Sequence, residues 1–133
     1  MRAILLLLIV GVAACGSNDG NTFELDLDVD APQATSVLVD GTHMLPPGAQ
    51  YSQGFTSVGA AMRVHGMVET LNGDGSVRAS ATYELGSYCD AETPLLRETL
   101  HFVESLDGNG DPQLALGSIE CEKNDGTGTV VTP

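Results

Sequence analysis

Four groups of side chains have the types and spacing to do chemistry. Asp107-x-Asn109-x-Asp111 sets oxygen ligands at alternate positions, as a calcium loop begins. It then departs from that pattern: Pro112 stands where the turn glycine belongs, and Ser118 where a bidentate Glu would close the site. Gly, Asn and Asp are also what a β-turn selects, because they tolerate positive φ. Ca²⁺ is the one cofactor these residues suggest, in a weak site completed by other acidic turns; the alternative is a plain turn. Glu24-Leu25-Asp26-Leu27-Asp28-Val29-Asp30 alternates carboxylates with aliphatic residues. On a strand that puts four carboxylates on one face, either to attract cations or to solvate a strand and discourage edge pairing. His43, His65 and His101 are conceivable zinc ligands or general bases, but no His-Glu-x-x-His spacing joins them. Neither a serine nucleophile elbow nor a glycine-rich phosphate loop occurs. The stretch from His43, Met44 and Leu45 through Pro46-Pro47-Gly48 to Tyr51 is a candidate contact loop, or else a cover over the open end of a sandwich.

The N-terminal residues carry a different chemistry. Arg2 precedes Ile4-Leu5-Leu6-Leu7-Leu8-Ile9-Val10, a run as long as a signal-peptide core and too short to span a bilayer. It ends in Val12-Ala13-Ala14-Cys15. This resembles the lipobox of bacterial lipoproteins, an aliphatic and two small residues before a cysteine. The resemblance covers residues 1–16 only. It implies cleavage before Cys15 and acylation of that residue, and acyl chains anchor a protein at about 0.8 kcal/mol per buried methylene. Gly16 rather than Asp follows the cysteine, which for a Gram-negative source implies the outer membrane. Gly16-Ser17-Asn18-Asp19-Gly20-Asn21 reads as a flexible tether reaching at most about 20 Å.

The remaining chain must position these groups. Its formal net charge is −13, and losing Arg2 with the signal makes it more negative. Such a chain lacks the basic face that binds nucleic-acid phosphates, and anionic lipid repels it unless a covalent anchor holds it. Short alternating runs between Gly/Asn/Asp clusters predict strands at about 22–30, 34–40, 58–71, 76–88, 98–106 and 113–122. The connection at 41–54 is long enough to hold a further short strand.

A hairpin turning at Asn72-Gly73-Asp74-Gly75 is expected to pair Glu69 with Arg78 and Arg63 with Glu84 on one face. Its other face would pair Met62 with Leu85, Val64 with Tyr83 and Val68 with Ala79. A second hairpin turns at 107–112, and Gly117 marks a bulge because Ile119 and Cys121 are out of phase with Leu114 and Leu116.

Cys89 and Cys121 are expected to form one disulfide, as paired cysteines in an exported domain do. They end the fourth and sixth expected strands, and next-nearest strands lie about 9.6 Å apart, too far to bridge. The bond therefore implies a link between two layers, or a curled sheet end. It would contribute roughly 3–4 kcal/mol on the chain-entropy account.

The expected fold is thus all-β: a small antiparallel β-sandwich of immunoglobulin-like character, with about six to seven strands and one disulfide. Residues 1–14 form the signal, 15–21 the lipidated N-terminus and tether, 22–123 the sandwich, and 124–133 a flexible tail or short edge strand. The expected function is a non-catalytic binding or scaffolding module, lipid-anchored in the cell envelope. Its partner would be an envelope protein or polysaccharide. The alternatives are a Ca²⁺-dependent adhesion or stabilising module and, further off, a hydrolase or metal enzyme.

Overall fold

Leu25, Leu27 and Val29 need an apolar layer on one side of their strand, and two sheets supply it. The computed structural model describes residues 21–57, 65–84, 89, 95–123 and 125–133. Among these described residues the nine strands are β1 (Asn21–Asp30), β2 (Ser36–Val39), β3 (His43–Leu45), β4 (Tyr51–Ser57), β5 (His65–Leu71), β6 (Val77–Glu84), β7 (Leu95–Leu106), β8 (Pro112–Lys123) and β9 (Gly128–Val131). One sheet has the order β4-β1-β7-β8-β9, the other β3-β2-β5-β6. All pairs are antiparallel except β1 with β7. Between the sheets lie Leu25, Leu27, Leu100, Phe102 and Ile119 from the larger one, and Val37, Val39 and Val68 from the smaller. The ring of Tyr83 meets Phe102 edge-on across the layers.

The all-β sandwich and the disulfide follow the expectation, with more strands than expected. The 41–54 connection is two strands, β3 and β4, one in each sheet. Part of the tail pairs with β8 as the edge strand β9. The acidic stripe sits on β1 between β4 and β7, so it does not guard an edge. Cys89 and Cys121 are bonded with Cα atoms 6.1 Å apart. Cys121 lies on β8 of the larger sheet, while Cys89 follows the last strand of the smaller one, so the bond ties the layers.

The β5–β6 hairpin corrects the expected register by two residues. Val68 pairs with Ala81, Glu69 with Ser80 and Thr70 with Ala79. Of the other expected pairs, residues 62–64 and 85 lie outside the described residues; Glu84 faces His65 and Tyr83 faces Gly66. A two-residue slip preserves which face each side chain takes, so the apolar pattern alone could not detect it. The ladder shifts between Thr70 and Leu71, leaving Arg78 with no residue opposite. Arg78 then turns between the sheets, away from Glu69, and its Nη2 lies 2.8 Å from Glu104 Oε1 on β7.

Three hairpin turns share one geometry. The N–H groups of Asn72, Asp107 and Lys123 donate to the carbonyls of Ser76, Asp111 and Thr127, four residues on. Gly75, Gly110 and Gly126 each take positive φ near 86° at the fourth position. That is a type I turn closed by a glycine bulge, which only Gly enters without strain. A bulge at Gly117 is also present: His101 pairs with Ser118 but Phe102 with Leu116. It turns Ile119 and Cys121 inward beside Leu114 and leaves His101 facing out.

A candidate binding face on the five-stranded sheet

Strand pairing assembles the outer face of the larger sheet in rows. Glu24, Arg97 and Glu122 lie side by side on β1, β7 and β8; the next row is Asp26, Thr99 and Glu120, and the third Asp28, His101 and Ser118. Each row meets because β1 and β7 run in parallel, which brings residues over seventy positions apart into contact.

Arg97 is the hub of the first rows. Its guanidinium lies 3.7 Å from Glu24, 3.5 Å from Asp26 and 3.3 Å from Glu122. Asp26 is almost fully covered, and its carboxylate also accepts a 2.6 Å hydrogen bond from the Ser52 hydroxyl of β4. His101 joins the third row to the second. Nδ1 lies 3.1 Å from Asp28 Oδ2 and Nε2 lies 3.1 Å from Glu120 Oε2. Ionised carboxylates only accept hydrogen bonds, so a ring held at both nitrogens must donate from both and is the imidazolium. Partial burial of the ring works against that charge, but the hydrogen bonds and charges of Glu120 and Asp28 outweigh it and raise the histidine pKa.

An open groove of about 480 Å³ runs along this face beside β9, bordered by Asp26, Arg97, His101, Glu120, Glu122 and Val130. Six carboxylates (Glu24, Asp26, Asp28, Asp30, Glu120 and Glu122) stand on the face against Arg97 and His101. The face is thus acidic overall, yet most of its charges are interlocked.

The other residues singled out from sequence lie elsewhere. Asp107 uses its carboxylate inside its own turn: Oδ1 accepts from the amides of Asn109 and Asp111 at 2.8 and 2.9 Å. Those bonds hold its carboxyl below the usual range. Asn109 and Asp111 are exposed on the same turn. Among the described residues, no three His, Cys, Asp or Glu side chains gather in a way that could hold a metal ion. His65 is exposed on the outer face of the smaller sheet, 4.0 Å from Glu84, so it does not meet His101. His43, Met44 and Leu45 of the expected contact loop lie on β3 and Tyr51 opens β4, while residues 46–50 connect the two strands. His43 and Met44 are exposed on β3, with the His43 ring 5.2 Å from Tyr51, while Leu45 and Tyr51 pack against the core. Cys15 lies outside the described residues.

Arg97 was not among the residues singled out from sequence, nor was the union of His101 with Asp28 and Glu120. The alternation Arg97, Thr99, His101 marks an outward polar face, but only the parallel pairing with β1 tells which carboxylates it meets. No protein-family model matches the chain, and neither a curated protein nor a solved structure shows significant similarity to it.

Proposed function

We propose that the chain is an exported bacterial lipoprotein, anchored through Cys15, whose sandwich is a non-catalytic binding module of the cell envelope. The observation that carries this reading is Val12-Ala13-Ala14-Cys15 at the end of an aliphatic run, with β1 beginning soon after at Asn21. The bonded Cys89–Cys121 pair supports it, since disulfides persist in oxidising compartments outside the cytosol. With so short a tether, the end of the domain where β1 begins stands nearest the bilayer. The row of Glu24, Arg97 and Glu122 is close to that end, and the 107–111 turn is at the opposite one. The interlocked charges favour recognition over catalysis, because a general base needs a side chain free to take a proton. The outer face of the five-stranded sheet is the surface offered to an envelope protein or polysaccharide; for a Gram-negative source the site of action is the outer membrane.

The test compares the wild-type chain with Cys15→Ala in a bacterial host fed labelled palmitate. Label and membrane fractionation are both expected to depend on Cys15. A wild-type chain that takes up no label, or a variant that stays with the membrane fraction, contradicts the reading.

A further inference from the structure

We propose that His101 is a proton-operated clasp: as the imidazolium it ties β1 to β8 across β7, and on losing its proton it releases a carboxylate and reshapes the groove that His101 and Glu120 border. The proposal stands on geometry and does not depend on acylation of Cys15. Both ring nitrogens are 3.1 Å from carboxylate oxygens, one on each neighbouring strand. The neutral ring has one N–H and one lone pair. Whichever carboxylate meets the lone pair loses its hydrogen bond and faces an acceptor, so the contact is repulsive.

The surroundings decide how firmly the proton is held. Asp26, Asp28 and Asp30 stand on this face of β1, and Glu120 and Glu122 on β8; all favour the imidazolium. Arg97 of β7 opposes it, and is itself occupied by Glu24, Asp26 and Glu122. The flanking strands β4 and β9 carry no ionised side chain. Glu120 is the arm free to move. Its side chain is 57% exposed, it borders the groove, and its strand neighbour there is Val130 of edge strand β9. Loss of the proton therefore makes the face one unit more negative and frees Glu120 at the groove wall. The ambient pH thereby sets the charge and shape offered to a partner.

The test is an NMR pH titration of the full chain in detergent micelles, with ring signals assigned by substituting His43, His65 and His101 in turn. His101 is expected to titrate above the ordinary histidine value of about 6.5, and Glu120→Gln to lower its midpoint. The amides of Glu120 and Val130 should titrate with the same midpoint in the wild type and lose that response in His101→Gln. Asp28→Asn should act like Glu120→Gln; if it fails to fold, Glu120→Gln carries the test, since its side chain is mostly exposed. A His101 midpoint at or below the ordinary value of about 6.5, one unmoved by Glu120→Gln, or groove amides that titrate unchanged in His101→Gln overturns the proposal.

Discussion

Two cation–carboxylate clusters in this protein use the same chemistry in opposite settings. Arg78 and Glu104 meet between the sheets, with side chains only 14% and 5% exposed. His101 meets Asp28 and Glu120 on the outer face, its own side chain 30% exposed and theirs more so. Inside, Glu104 accepts from Arg78 at 2.8 Å and from the fully buried Thr70 hydroxyl at 2.6 Å. Burial would raise its pKa, but those two donors outweigh burial and hold the carboxyl below the usual range. The inner carboxylate thus stays charged at neutral pH, whereas the outer histidine holds its proton more firmly than a free ring and loses it as pH rises. Burial decides which cluster fastens the layers and which responds to its surroundings.

The sharpest way to break this contrast is to remove one inner partner. Glu104→Leu leaves Arg78 and the Thr70 hydroxyl without their shared acceptor and should cost about 1.5–3 kcal/mol in urea unfolding, the range for charge-assisted hydrogen bonds. Adding Arg78→Met should recover most of that loss, because a paired apolar replacement leaves no uncompensated charge. If the double variant is no better than the single one, the inner pair is not a closed unit.

Gly66→Ala supplies an uncharged control. The Tyr83 ring lies over Gly66, and an added Cβ would occupy the space of its Cζ and hydroxyl oxygen. Overpacking should cost about 1–3 kcal/mol. Unlike the charged variants, its loss should be indifferent to salt.

His101→Gln should cost less, about 0.5–1 kcal/mol at low salt, as partly exposed ion pairs do. The cost should shrink further at about 1 M salt, where the screening length falls to about 3 Å. Arg97→Gln should have the smallest effect, about 0.2–1 kcal/mol and equally salt-sensitive, because its side chain is 42% exposed, more than that of His101. An Arg97 loss as large as that of Glu104→Leu would erase the distinction between the two settings.

Sequence pattern revealed those parts of the fold that are local. The alternation of Leu25, Leu27 and Val29 foretold a buried face and the phase change around Gly117 foretold a bulge, while the cysteine pair foretold a disulfide but left open whether it links two layers or a curled sheet end. Two turns at Asn-Gly-Asp-Gly and Asp-Gly-Asn-Gly were legible as well. The third turn, at 123–127, is readable from Asp125-Gly126-Thr127, whereas the sequence pattern left 124–133 open between a flexible tail and the short edge strand that forms. Asp40-Gly41, both with positive φ, turns β2 into β3, a strong hairpin signal overlooked inside a long connection.

What stayed illegible was non-local. The bulge at Arg78 changed a hairpin register without changing the side-chain pattern, and so moved an arginine from a surface pair to an inner one. The outer face likewise depended on a parallel pairing of β1 with β7, and no motif encodes which distant strands lie side by side.

Burial sets the opposite roles of the two clusters, and their opposite pH signs test this most directly. His101 has a raised pKa, so its contribution is fully present below the unfolded value of about 6.5 and fades as pH rises through the folded one. Glu104 has a lowered pKa, so its contribution is present above the unfolded value of about 4.3 and fades as pH falls through the folded one. The measurement is urea unfolding of the full chain and of His101→Gln and Glu104→Leu, from acid to alkaline pH. The stability advantage of the wild type over His101→Gln should vanish on alkalinisation, and its advantage over Glu104→Leu on acidification. Two differences that run parallel with pH would contradict the account.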